Sequence, residues 1–178
     1  MIDQDIYVIV VGIMIGKLEW RKAYKEYGIG IQTYNELENL IKEKMYKISK
    51  DRPPNWDELE KVFKADWERT AVAYHDTIHV KYPDKLPPDI LVHEQVHLKQ
   101  QGGTIEKTKE WWKKYIENDK HRYSQELEAY RKQYQYIREV KKDRNQIARE
   151  AHLIATKLSS SLYGNIVTYS EALKEIKK

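Results

Sequence analysis

The 178-residue chain contains no cysteine. This excludes disulfides and thiolate metal sites, and leaves histidine and carboxylate as the ligands for any metal. A long apolar stretch is also missing. The run over residues 6–16 has 11 residues, whereas a helix that crosses a bilayer needs about 20. It lacks a basic stretch before it and a small-residue cleavage site after it, so a secretory signal is not expected. Its β-branched content reads as a buried strand; a buried helix or a short membrane-contacting segment is the alternative. The expected location is the cytoplasm, with this N-terminal run as the candidate for membrane association. Neither charge sign dominates: the net charge is +4, and no nucleic-acid-binding motif accompanies it. No repeat and no low-complexity linker divides the chain. With 34% charged and 40% hydrophobic residues, residues 1–178 are expected to form a single soluble domain.

What is present is mostly helical patterning. Residues 17–27 turn polar and helical. Leu37, Leu40, Ile41, Met45 and Ile48 recur at helical spacing, which predicts a helix over 34–48. Asp51-Arg52-Pro53-Pro54 breaks the chain. Asn55 and Glu58 then form a capping-box pattern ahead of Leu59, Val62, Phe63 and Trp67. Ile78, Val80 and Tyr82 alternate with Thr77, His79 and Lys81, which predicts a strand with one wet face. His75-Asp76 reads as a hairpin turn before it. Helices are expected over 107–118, 122–141 and 145–162, the last stopped by Gly164-Asn165. Thr168 and Glu171 cap a final helix reaching Ile176.

The chemistry concentrates in Leu91-Val92-His93-Glu94-Gln95-Val96-His97-Leu98. Pro87-Pro88-Asp89 reads as a helix start and Gly102-Gly103 as its stop. On a helix, His93 and His97 project from one face, so two nitrogens can reach one metal ion at about 2.0–2.1 Å. Glu94 lies about 100° round from His93. There it can meet a metal-bound water and take its proton without being a ligand. His75 and His79 share no helical spacing with this pair and read as surface or cleft histidines.

His93-Glu94-x-x-His97, followed by Glu126-Leu127-Glu128-Ala129 on a predicted helix, resembles the zincin metallopeptidases. More narrowly it resembles the gluzincins, whose third zinc ligand is a glutamate. The small size is similar to the compact minigluzincins, and the Glu-x-x-Ala spacing is similar to that of small repressor-cleaving peptidases. The resemblance runs over residues 70–137. It implies a zinc ion held by His93, His97 and a downstream glutamate, with Glu94 as catalytic base and a peptide or protein as substrate. It also implies that the strand carrying Ile78, His79 and Val80 offers its edge to an extended peptide. The resemblance also allows a pro-segment over about residues 1–50, whereas the favoured reading makes the apolar run over residues 6–15 a strand or helix of the same core.

Glu126 and Glu128 compete for the third position. Tyr123, Leu127, Tyr130, Tyr134 and Ile137 form one stripe, and Glu126 lies roughly 60° from its centre against roughly 140° for Glu128. Glu128 also has Lys132 four residues on, the pairing of an exposed face. Glu126 is therefore the expected ligand. An oxyanion donor besides zinc is needed, and the candidates are Tyr130, Tyr134, His121 and His152. The expectation is an α+β, mostly helical, zincin-like domain with a small sheet that hydrolyses peptide bonds through a zinc-bound water. The alternative is a non-catalytic binding or regulatory protein with a structural or vestigial metal site. The oligomeric state is not legible.

Overall fold

The computed structural model describes residues 46–178. The strand expected over 6–16, the helix over 17–27, most of the helix over 34–48 and the pro-segment lie outside these residues. From Ile48 to Lys178 the chain forms one compact unit, mostly helical with one small sheet. The elements are β1 (Lys47–Ser49), α1 (Trp56–Phe63), β2 (Val72–Tyr74), β3 (Thr77–His79), α2 (Pro88–Gln100), α3 (Ile105–Glu117), α4 (Asp119–Val140), α5 (Arg144–Leu158) and α6 (Tyr169–Glu175). Among the described residues, no helix is long and apolar enough to cross a membrane.

The sheet begins with a departure from expectation. Ile48, read as the end of a helix, lies in β1. The Val80 N–H donates to the Ser49 carbonyl at 2.9 Å, so β1 docks beside β3 and the strand order is β1-β3-β2. β2 and β3 form an antiparallel hairpin with Val72 opposite His79 and Tyr74 opposite Thr77. His75 takes a positive φ of 57° at the turn. The expected wet face is not wet at His79. Its ring is buried, and Nδ1 lies 2.8 Å from the Asp51 carbonyl.

Helix boundaries follow local chemistry closely. α2 starts at Pro88, whose missing N–H would be unpaired there anyway. It ends before Gly102 and Gly103, both at positive φ. Thr168 and Glu171 form the expected capping box, but Asn55 and Glu58 do not. The Asn55 side chain makes no cap bond, and both of its polar atoms are buried without a partner. α5 stops at Leu158, short of the expected 162, and a 3-10 turn (Ser161–Tyr163) follows. Gly164 ends that turn at φ +77°, where a Cβ would come within 2.5 Å of Asp119 Cβ. Glycine is thus needed for the turn to lie against the start of α4.

Two apolar clusters flank the centre. One joins α4, α5 and α6 through Tyr130, Tyr134, Ile154, Leu158 and Ile176. The other joins α1, β2 and α3 through Trp56, Leu59, Val72, Trp111 and Trp112. Between them, α2 packs against α4. Asp89 meets Gln133, and Gln100 meets Gln125, so the two helices run antiparallel. The deepest residues of α2 are polar: His93, Glu94 and His97 are buried, while Ile90, Leu91, Val92 and Val96 are only half-buried. The fully buried side of this helix is therefore polar, flanked by half-buried apolar residues.

Candidate metal centre

His93 and His97 stand one turn apart on α2, and their rings approach at 4.8 Å between centroids. Glu126 reaches them from α4. Its position follows from the helical repeat: Arg122, Glu126, Ala129, Tyr130, Gln133, Tyr134 and Ile137 are the buried positions, recurring at three- and four-residue steps. Glu126 therefore faces inward, as its angle from the stripe predicts, and Glu128 is exposed. His93 Nε2 lies 3.1 Å from His97 Nε2, and the Glu126 oxygens lie 3.4 Å from His93 Nε2 and 3.1 Å from His97 Nε2. These three side chains form a group that could hold a metal ion.

The donor set fits a divalent ion on two grounds. Three ligands at about 2.0–2.1 Å from one tetrahedral ion stand about 3.3 Å from one another, close to the separations here. Charge is the second ground. Glu94 and Glu126 are the only buried acids among the described residues, and two buried carboxylates beside imidazole lone pairs are costly without a cation. A divalent ion balances both.

Among the protein groups themselves, a proton on His97 offsets the charge of Glu126. Burial opposes a charge on His97, but Glu126 outweighs it and lifts the imidazole to about 9. Burial likewise pushes Glu126 up, yet His97 and His93 bring it well below the usual carboxylate range. Glu94 ends above its ordinary value, because burial exceeds the pull of His97 and His93. A raised carboxylate is a stronger base, which suits proton transfer near neutral pH.

Glu94 is held by β2. The Ala73 N–H donates to Glu94 Oε2 at 2.9 Å. Gln101 Nε2 donates to the Ala73 carbonyl at 2.8 Å, and the His75 N–H donates to Gln101 Oε1 at 2.7 Å. Both backbone groups of Ala73 therefore point away from β3, towards α2. The expectation of an exposed edge at Ile78, His79 and Val80 is corrected here. That strand is central, with β1 and β2 on its two sides. β2 is the strand beside the site, and Val72 and Ala73 line the cleft.

The cleft has a volume of about 430 Å³ and includes His93, Glu94, His97 and Glu126 in its lining. Of the four candidate oxyanion donors, Tyr130 alone lines it, its ring 4.4 Å from that of His93. Tyr134 lies in the α4–α5–α6 cluster. His121 sits against Trp111 with its Nε2 buried and unpartnered. His152 stacks on Tyr169 and bonds its hydroxyl at the surface. None of these three lines the cleft. Two tyrosines outside the sequence candidates do. The Tyr115 hydroxyl donates to Glu126 Oε1 at 2.6 Å and the Tyr163 hydroxyl to Oε2 at 3.0 Å. Burial, then the Glu126 charge, holds both phenols well above their ordinary value, so both stay protonated donors. Tyr115 shares the α3 face with Trp111, a periodicity visible in sequence. Tyr163 has no such signal: it is brought in by Gly164 against Asp119 and by Arg122 Nε donating to the Leu162 carbonyl at 2.8 Å.

Comparison of the chain with known protein families, with curated proteins and with solved structures returns no match.

Proposed function

We propose that this protein is a zinc-dependent metallopeptidase of the zincin type, with a glutamate as third ligand. The observation that carries the reading is the convergence of His93, His97 and Glu126 on one point beside Glu94, at the wall of an open cleft. His93 and His97 would hold the ion through Nε2, and Glu126 through a carboxylate oxygen. When bound, zinc supplies Lewis acidity, polarising a carbonyl and making water acidic near neutral pH.

The remaining roles fall to the chain itself. Ala73 fixes one oxygen of Glu94. The other is left to accept a proton from the attacking water and later pass it to the leaving amine. Tyr130 is the candidate that stays in place to donate to a developing oxyanion. Tyr115 and Tyr163 hold Glu126 by both oxygens. A peptide or protein substrate would lie along β2, beyond the stretch where Glu94 and Gln101 already occupy Ala73.

Three features favour the enzyme over a structural or vestigial site. Structural zinc sites are closed by four protein ligands, whereas catalytic sites keep a position open. The group here has three, and it faces a cleft. A structural site would also have no use for a buried Glu94 as base. The test is a peptide or casein digestion with the purified protein, after chelator treatment and after zinc is restored. Hydrolysis that vanishes and returns supports the reading. Hydrolysis indifferent to chelator, or none with one zinc bound per chain, contradicts it.

A further inference from the structure

Both candidate ligand histidines are gripped from behind by glutamine. His93 Nδ1 lies 3.1 Å from Gln133 Oε1, and His97 Nδ1 lies 2.8 Å from Gln100 Oε1. An amide can in general face either way, and neutral imidazole has two tautomers. Here the outer partners remove the choice. Gln133 Nε2 donates to Asp89 Oδ2 at 2.8 Å. Gln100 Nε2 donates to the Gln125 carbonyl at 3.0 Å and to Glu128 Oε2 at 2.9 Å. A carboxylate and a backbone carbonyl only accept. Each amide must therefore turn its NH₂ outward and its oxygen inward, and an inward oxygen requires a hydrogen on Nδ1.

We propose, resting on the metal-centre reading above, that Gln133 and Gln100 are positioning residues that lock His93 and His97 into the Nδ1–H tautomer, with both Nε2 lone pairs aimed at the ion. The Asp89–Gln133–His93 chain works at one end of the α2–α4 pair and the Glu128–Gln100–His97 chain at the other. Ligand histidines commonly lean on a carboxylate or a carbonyl, and loss of such a partner typically costs about 10–100-fold in metal affinity. The use of amides here has its own consequence. They add no charge to a buried site that already holds Glu94 and Glu126, so one divalent ion leaves it neutral. Glu128, rejected as a ligand, acquires a role as an anchor for Gln100.

The test is zinc affinity by chelator competition on the full chain, with melting of the metal-free protein measured in parallel. Gln133→Leu keeps the volume and removes the acceptor. Its zinc dissociation constant should rise about 10–100-fold, while the metal-free form still unfolds in one cooperative transition, at a temperature lowered by the unpaired His93 and Asp89. The exchange of Asp89→Asn with Gln133→Glu restores an inward acceptor with an outward donor, and should bring affinity back to at least the wild-type value. If Gln133→Leu does not fold, Gln100→Leu, at a half-buried position near the helix end, carries the same expectation. Zinc affinity unchanged in both leucine variants overturns the proposal and leaves the metal site standing. So does an exchange variant no tighter than Gln133→Leu. A wild-type protein that binds no zinc overturns the metal reading itself.

Discussion

The two faces of α4 hold the molecule together by different means. Towards α5 and α6 it presents Tyr130, Tyr134 and its partly buried neighbours Tyr123 and Leu127 to an apolar cluster. Towards α2 it presents Glu126 and Gln133, both buried, to two histidines and an aspartate. Apolar burial is non-directional and scales with area. A buried polar face is all-or-nothing, because an unpaired member costs more than a good pair returns. One helix thus carries an apolar face that tolerates change and a polar face in which each buried member needs its partner.

The sharpest break of this contrast is the pair His93→Ala and His97→Ala together. Zinc binding should be abolished, with loss of all metal-dependent hydrolysis, as measured by metal content after dialysis. Undiminished zinc would mean that the ion sits elsewhere. The opposite face gives the complementary result. Leu158→Ala in the fully buried α5 position should cost about 2–5 kcal/mol of stability, read by denaturant unfolding. One zinc per chain should still bind. A loss of stoichiometry there would show that the two faces are coupled.

The pH dependence sharpens the comparison further. In the metal-free protein His97 titrates at about 9, above its ordinary 6.5. A raised imidazole contributes stability that is fully present below about 6.5 and is lost as pH rises through about 9. The metal-free protein should therefore weaken across that window, while the zinc-loaded protein should not. Zinc must also displace that proton, so its apparent affinity should rise towards about tenfold per pH unit and level off near pH 9. A flat affinity between pH 7 and 9 would contradict this. The smallest effect is expected at Glu128→Ala. Gln100 keeps the Gln125 carbonyl as an acceptor, so zinc stoichiometry should hold and affinity change only a few-fold. Abolished binding there would exchange the roles of Glu128 and Glu126.

Much of the centre was legible because it is local. His93, Glu94 and His97 lie within five residues, and the stripe from Tyr123 to Ile137 set the direction of Glu126 before any contact was known. The stops at Gly102 and Gly103 and the box at Thr168 are equally local. The failures are long-range. The strand order depends on β1, whose sequence continues a helical pattern, so Ile78, His79 and Val80 read as an edge although they lie at the centre of the sheet. Gln133 and Gln100 carry no motif, and their meaning comes only from the antiparallel pairing of α2 with α4. Tyr163 follows no repeat at all, being placed by a glycine turn.

The central claim is that Glu94 serves as the base beside a three-ligand zinc site, and one substitution isolates it. Glu94→Gln preserves size and can still accept the Ala73 N–H through its carbonyl oxygen, but cannot accept the proton of water. Loaded with one zinc per chain, it should keep the wild-type melting profile and lose about 10²–10⁴-fold in peptide hydrolysis. Wild-type turnover by the zinc-loaded Glu94→Gln protein would contradict the account.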